Sequence, residues 1–166
     1  MKPPLFLLGV FLLSSYSYSQ EIFTGPFLIK DGIYYHQDTN EFVTGIIETF
    51  NENGQLESRR NFQDGKLEGL METFNDNGQL ESRGDFIDGK RKGLWENFWE
   101  NGQLERRGNY QDGKLEGLVE MFNNNAQLTS RRNYIDGKRE GLWEYFDENG
   151  NLTKAETFRN GVLQKE

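Results

Sequence analysis

Apolar and polar residues alternate along short stretches of this chain, and glycine-containing turns separate the stretches. Over residues 79–86, Leu80, Ser82, Gly84 and Phe86 share one face, and amide or charged residues lie on the other. That period of two is typical of a β-strand. Residues 69–74 form a second strand-like run, and an Asn-Gly pair at 77–78 joins the two as a hairpin. Glycine recurs too often for a helix, so the chain after its first residues is predicted to be all-β.

The predicted hairpin recurs five times. The same number of residues separates each copy from the next, as between Asp64 and Asp88. The residues in register are Asp-Gly-Lys at 64–66, 88–90, 112–114 and 136–138, the glycines 45, 69, 93, 117 and 141, and the phenylalanines 50, 74, 98, 122 and 146. A fixed period in this range indicates a stacked array whose units cannot each bury a core alone. We therefore divide the chain into an N-terminal cap at 20–39, five repeats at 40–159 and a C-terminal stub at 160–166.

Two registers are open for each Asn-Gly turn. A two-residue turn at 77–78 pairs Glu72 with Arg83, whereas a three-residue turn with a bulge places Phe74 opposite Leu80. We favour the second, because burying an apolar side chain is worth about 1.5–3 kcal/mol and an exposed ion pair about 0–1 kcal/mol. In that register Phe74, Leu80 and Phe86 and their copies form the buried face.

The first nineteen residues predict export. Lys2 precedes an apolar run from residue 5 to 13, and Ser17-Tyr18-Ser19 precedes Gln20 in the small-x-small pattern of a cleavage site. The apolar run is too short to span a bilayer, although an uncleaved anchor is the alternative. We interpret residues 1–19 as a signal peptide, and we expect a periplasmic, cell-envelope or secreted protein.

The net charge and the polar residues limit the classes of function that we expect. The net charge is −8, which opposes nucleic acid and anionic membranes as partners. No cysteine is present, so stability is expected to come from packing between repeats. A single histidine, His36, lacks the companions of a metal site, and the repeated carboxylates occupy identical environments rather than the contrasting ones of an acid–base pair. We expect no cofactor, no metal and no enzymatic activity, and the sequence leaves the oligomeric state open.

One column of positions varies between repeats and supplies the candidate site. It contains Ile47, Met71, Trp95, Val119 and Trp143, and the neighbouring positions include Met121 and Tyr145, with Trp99 near a turn. In the favoured register this column projects away from the phenylalanine face, where exposed aromatic residues and methionines mark an interaction surface. The alternative is that the column packs the interior of a curled sheet. The candidate partner-binding residues are Trp95, Trp99, Trp143, Tyr145, Met71 and Met121.

The segment Gly-Leu-Trp-Glu-Tyr-Phe-Asp-Glu-Asn-Gly at 141–150, with Asp-Gly-Lys before it and Leu152 after it, resembles the variant MORN repeat. The resemblance covers about residues 40 to 163. It implies an elongated, single-layer antiparallel sheet with one hairpin per repeat, and a non-catalytic role.

The resemblance leaves two functions open. The first is a protein-protein interaction module or scaffold, for which a protein partner is expected. The second is an antitoxin or immunity protein of the YwqK-like type. A hydrolase or carbohydrate-active enzyme using the repeat carboxylates is a more distant alternative.

Overall fold

The computed structural model describes residues 22–165, and across that range every regular element is a β-strand. The segment interpreted as a signal peptide lies outside the described residues. Residues 22–165 also contain no helix long and apolar enough to cross a membrane. The strands are β1 (Ile22–Phe23), β2 (Phe27–Lys30), β3 (Ile33–His36), β4 (Gly45–Phe50), β5 (Leu56–Gln63), β6 (Lys66–Phe74), β7 (Leu80–Ile87), β8 (Lys90–Phe98), β9 (Leu104–Gln111), β10 (Lys114–Phe122), β11 (Leu128–Ile135), β12 (Lys138–Arg139), β13 (Gly141–Phe146), β14 (Leu152–Arg159) and β15 (Val162–Leu163).

One 13-stranded sheet carries all the repeats. From β4 to β15 the strands pair antiparallel in chain order, except that β11 pairs with both the short β12 and β13, and β1 adds a parallel edge beside β4. The separate β2–β3 hairpin covers this end, where Tyr34 contacts Phe62 at 4.6 Å between ring centroids and Val43 is fully buried. The expected all-β, stacked-hairpin architecture is confirmed.

Each Asp-Gly pair forms a tight turn that docks on the previous repeat. At the first of these turns, Asp64 and Gly65 have φ values of 51° and 77°, which is the two-residue type I′ geometry of a hairpin. The glycine N–H then donates to a backbone carbonyl of the preceding unit, at 2.8–3.0 Å. These bonds join Gly65 to Val43, Gly89 to Leu67, Gly113 to Arg91, Gly137 to Leu115 and Gly161 to Arg139.

A second hydrogen bond accompanies most of these joints. The N–H of the first turn residue donates to a side chain of the preceding unit, at 2.7–3.0 Å. The donors and acceptors are Asp64 to Thr44, Asp88 to Glu68, Asp136 to Glu116 and Asn160 to Glu140. The equivalent position before Asp112 is Lys92, which has no acceptor atom in its side chain, so this bond is not made there and Lys92 instead donates to the side-chain oxygen of Gln111.

The Asn-Gly turns combine both registers considered from the sequence. Phe74 pairs with Leu80, and one residue further the register shifts so that Thr73 pairs with Ser82 and Glu72 with Arg83. The extra residue is Glu81, which bulges from the strand. The favoured pairing of Phe74 with Leu80 is confirmed, and the bulge restores the ion-pair register beyond it.

The fourth copy of this turn has an alanine at its left-handed position. Ala126 has a φ of 60°, and its N–H still donates to the carbonyl of Asn123 at 3.0 Å. The glycine at this place in the preceding repeat, Gly102, has a φ of 79°. A side chain at positive φ costs about 1–2 kcal/mol, so this turn keeps the shape of the others at the expense of backbone strain.

Each long strand bends sharply after its Asp-Gly turn. In β8, residues 93–95 oppose the single residue Gly84 of β7, and Gly93 has a φ of 66°. Residues four apart in a flat strand lie about 13 Å apart. Here the guanidinium carbon of Arg91 lies 4.1 Å from the ring centroid of Trp95. The bend therefore folds the start of the strand over its own middle.

This bend buries the variable column. Ile47, Trp95, Val119 and Trp143 are each no more than 4% exposed. The prediction that Trp95 and Trp143 form an exposed binding surface is therefore wrong, and the alternative of a curled interior is correct for them. Each indole N–H also donates to a backbone carbonyl, of Asp85 or Asn133, at 3.2 and 3.0 Å respectively.

The predicted buried face of Phe74, Leu80 and Phe86 divides between the two sides of the sheet. Phe86 contacts Trp95 edge-to-face at 5.2 Å, so it shares the face of the variable column. Phe98, the next copy of Phe74, lies under the guanidinium of Arg83 on the opposite face. The Phe74 column is half-buried in repeats two to five, and Phe50 is 47% exposed. The bulge and the bend each change which side of the sheet the following residues face, so the alternation predicted from the sequence does not hold along a whole strand.

The bend also explains why alternate repeats differ. Where the column has tryptophan, the covering residue is an arginine, and the guanidiniums of Arg91 and Arg139 lie 4.1 and 5.0 Å from their indole centroids. Where the column has Val119, the covering residue is Leu115, and both approach the backbone of Gly108. The large flat indole ring is covered by a cation–π contact with arginine, and the small aliphatic side chain is covered by another aliphatic side chain.

We predict that Trp95→Ala destabilises the fold by about 3–5 kcal/mol, because it leaves a cavity between Arg91, Phe86 and Tyr110. The adjacent Leu94 is 47% exposed on the other face, so Leu94→Ala should change stability by about 0.5 kcal/mol. Urea unfolding followed by circular dichroism measures both. Similar losses for the two variants would contradict the burial of the tryptophan column.

We predict that Ala126→Gly raises stability by about 1 kcal/mol, because glycine adopts the left-handed conformation without strain. The reverse change, Gly102→Ala, should lower stability by a similar amount. Thermal melts of both variants test this pair, and a melting temperature that falls for Ala126→Gly would show that the turn is not strained.

Candidate binding surfaces

A ladder of alternating charges crosses one side of the sheet, which we call the ladder face. Its successive cross-strand partners are Glu48, Arg59, Glu72, Arg83, Glu96, Arg107, Glu120, Arg131, Glu144 and Ala155. Ion pairs of 2.7–3.7 Å hold every arginine of the ladder, and Arg107 and Arg131 both contact Glu120. Three of these arginines also lie over phenylalanine rings at 5.6–6.0 Å. The charges of this face largely neutralise one another.

A row of exposed leucines runs beside the ladder. Leu70, Leu94, Leu118 and Leu142 are 41–54% exposed and alternate with Asp85, Asn109, Asn133 and Thr157. The polar residues between them break the apolar area into single side chains. Singly exposed leucines are normal on a protein surface, so this row is a weak candidate for a partner site.

The opposite side, which we call the core face, has arginines without carboxylate partners. Among residues 22–165, no ion pair or carboxylate hydrogen bond holds the five core-face arginines, which are Arg60, Arg91, Arg106, Arg132 and Arg139. Several stack on aromatic rings instead. Arg132 lies 5.2 Å from the Trp143 centroid and 5.4 Å from that of Tyr145, and its Nε is buried with no hydrogen-bond partner.

In the C-terminal half of the core face, the arginines without carboxylate partners lie in a region that has fewer glutamates. Near the first two Asn-Gly turns, Glu57 and Glu81 line a shallow cleft together with Arg60. At the equivalent bulge positions of the last two hairpins the residues are Thr129 and Thr153, whose hydroxyls donate to backbone carbonyls at 3.0–3.1 Å. The result is a basic patch that consists of Arg106, Met121, Arg132, Tyr145 and Lys154.

Two carboxylates border this patch: Glu105, at the bulge position next to Arg106, forms no ion pair with it, and Glu156 is already paired. The Glu156 carboxylate forms an ion pair with Lys154, with 2.8 Å between Oε1 and Nζ. The hydrogen bond from Lys154 lowers the pKa of the Glu156 carboxyl, and the same bond raises the pKa of the Lys154 ammonium. Glu156 therefore stays ionised and paired with Lys154, so it does not pair with Arg106 or Arg132.

The structure separates the six predicted partner-binding residues into two groups. Trp95 and Trp143 are core, and Trp99 is half-buried with its indole N–H on the carbonyl of Phe122 at 3.1 Å. Tyr145 and Met121 are half-buried members of the basic patch, where Tyr145 pairs with Lys154 across the strands. Met71 is half-buried in the variable column, opposite Gly84.

Sequence reasoning missed the unpaired arginines. The signal was present in the adjacent pairs Arg106-Arg107 and Arg131-Arg132, because neighbouring residues of a strand point to opposite faces. One arginine of each pair joins the ladder, and the other lies on the core face. Among the described residues, no group of three histidine, cysteine, aspartate or glutamate side chains is placed to hold a metal ion.

Comparisons with known proteins identify the repeat. The family model described as MORN repeat variant matches residues 43–64, 67–88, 91–112 and 139–160, or 88 of the 166 residues. The first matched segment begins near the end of the cap and the other three begin just after an Asp-Gly turn, and each ends at the first residue of the next turn. The unmatched unit contains Ala126, which replaces the turn glycine. A comparison with curated proteins finds no match.

Three solved structures resemble the chain weakly. A TarM mutant from S. aureus in complex with fondaparinux, α-GlcNAc-glycerol and UDP is 15% identical, with a TM-score of 0.36 over 69% of this chain and 20% of that one. TarM in a second structure is 16% identical, with a TM-score of 0.33 over 64% and 19%. A GtfA/B complex bound to UDP and GlcNAc is 7% identical, with a TM-score of 0.26 over 80% and 23%. The chain spans about a fifth of the length of each of these solved chains.

We predict that Lys154→Ala returns the pKa of Glu156 toward the ordinary value of a glutamate, because the hydrogen bond from Lys154 is the main cause of its depression. A carboxyl with a depressed pKa stabilises the fold above its ordinary pKa, and this contribution is lost as the pH falls through the depressed value. NMR titration of the carboxyl carbon measures the shift. As a control, Lys66→Ala removes a lysine that pairs with Asp88 elsewhere. An unchanged Glu156 pKa in the first variant would assign the depression to the hydrogen bond with Tyr145 or to the charge of Arg139 instead.

Proposed function

Because this chain belongs to the MORN repeat variant family, we propose that it is an exported, non-enzymatic module that binds a protein partner. MORN repeats are consistent with a repeat protein acting in protein or membrane interactions. The more specific role rests on the core face, where the basic patch leaves Arg106 and Arg132 unpaired beside Tyr145 and Met121. Arginine and aromatic residues of this kind dominate protein-protein contacts energetically.

The electrostatics support a binding role over catalysis. The resolved pKa shifts belong to Lys114, Asp136, Asp147, Lys154 and Glu156, and each has a hydrogen bond from or to a neighbour as its largest cause. Shifts of this kind stabilise turns and ion pairs. A general acid or base is instead tuned by burial or by a like charge.

Export rests on the N-terminal sequence alone, and the antitoxin role rests on the resemblance alone. An antitoxin is a narrower form of the same proposal, in which the partner is a toxin. A toxin gene next to the gene for this chain, and relief of that toxin's effect on co-expression, would favour it over a scaffold.

Affinity capture of the tagged chain from an envelope fraction, followed by mass spectrometry, tests the proposal. We expect one protein to be retained reproducibly at about 150 mM salt, the physiological ionic strength, and we expect the N-terminal peptide of the captured chain to begin at Gln20. An untagged strain is the control. Capture from the cytosol alone, with Met1 retained, would contradict export, and the absence of any retained protein would contradict the binding role.

A further inference from the structure

Adjacent arginines in the last repeats have opposite environments. Arg107 and Arg131 lie on the ladder face, and they contact Glu120 at 2.7 and 3.4 Å respectively. Arg106 and Arg132, one residue away in each strand, lie on the core face with no carboxylate partner among the described residues. The array thus satisfies the arginines of one face internally and leaves those of the other face available.

Aromatic stacking orients the available guanidinium of Arg132. The guanidinium carbon lies 5.2 Å from the centroid of the Trp143 ring and 5.4 Å from that of Tyr145. The Nε of Arg132 is buried, so the N–H groups of the two terminal nitrogens are the donors left to meet a carboxylate, whose geometry this planar fork matches. Arg132 is therefore held in place before any ligand arrives, which reduces the entropy lost on binding.

The surroundings of the patch favour an anionic ligand. Thr129 and Thr153 occupy the bulge positions that hold glutamates in the first three hairpins. Glu156 is paired with Lys154, so it does not neutralise the two arginines. Met121 and Tyr145 add half-buried apolar surface between the charges, which suits side chains of a peptide.

We propose that the basic patch binds an acidic, extended segment of a partner protein, with its carboxylates on Arg106 and Arg132. This inference rests on the proposed protein-binding function. Arg106 pairs with Met121 and Arg132 with Val119, so the arginines are two strands and two residues apart, about 12 Å. Carboxylates four residues apart in an extended chain point to the same side and span about 13 Å.

A fluorescent dodecapeptide with glutamate at every fourth position and leucine or tyrosine between tests the proposal, because residues four apart in an extended chain share a side. Fluorescence anisotropy with the purified chain should show binding that weakens as salt rises from about 50 to 500 mM. Arg106→Gln and Arg132→Gln should each reduce affinity about tenfold or more, as expected for loss of a charge-assisted hydrogen-bonded pair. A peptide with glutamine in place of glutamate should not bind.

Matched controls come from the neighbouring residues. Arg107→Gln and Arg131→Gln remove the same charge from the ladder face, and they should leave peptide affinity within about twofold once melting curves show that the variants are folded. Equal losses from the two pairs of variants would overturn the proposal, because they would indicate general charge attraction. Absence of peptide binding would also overturn it.

The remaining outcomes distinguish the proposal from its alternatives. Binding to vesicles of phosphatidylcholine and phosphatidylserine mixed four to one, without peptide binding, would identify a membrane surface as the occupant and overturn the proposal. Capture of a partner that persists in the Arg106→Gln/Arg132→Gln double variant would place the contact elsewhere and leave the proposed function standing. Peptide binding without a captured partner would retain the patch and reject the proposed function.

Discussion

A single-layer sheet has no second layer to cover it, so it must cover its apolar side chains by itself. In this chain the cover comes from a bend within each long strand, which folds Arg91 over Trp95 and Arg139 over Trp143. Without that bend, the central column of the core face would be exposed to water along the whole array. The stacked turns, the aromatic contacts and the asymmetry of the two faces all depend on this one change of strand direction.

The hairpin architecture could be predicted from local chemistry because the turn residues determine it. Asp64-Gly65 adopts the conformation that such a pair favours, and the Asn-Gly pair at 77–78 gives the expected bulged turn. The pairing of Phe74 with Leu80 and that of Glu72 with Arg83 looked like alternatives from the sequence. They coexist because the bulged Glu81 shifts the register between them, and a bulge of this kind leaves no separate signal in an alternating pattern.

The placement of the tryptophans could not be derived from alternation. Strand periodicity states which residues share a face, but it does not state whether that face is open or covered. Trp95 is buried because Gly84 leaves space for its ring and because Arg91 bends over it. Gly84 lies on the preceding strand and Arg91 on the same strand as Trp95, and their role is clear only once the bend is known. The basic patch could not be predicted for a related reason, because the sequence does not show that Arg132 differs from other surface arginines in having no carboxylate partner.

The missing hydrogen bond at Lys92 has a consequence for how the array comes apart. In a linear repeat protein each unit is stabilised mainly by its neighbours, so the weakest joint sets the boundary between cooperative units. At the joint before Asp112 an exposed side-chain bond from Lys92 to Gln111 replaces the bond that the turn N–H makes elsewhere, and this joint lies inside the basic patch, between Arg106 and Arg132. Fraying that begins at the N-terminal end and stops at this boundary therefore separates Arg106 from the rest of the patch. The array then behaves mechanically as two coupled segments rather than as one rod.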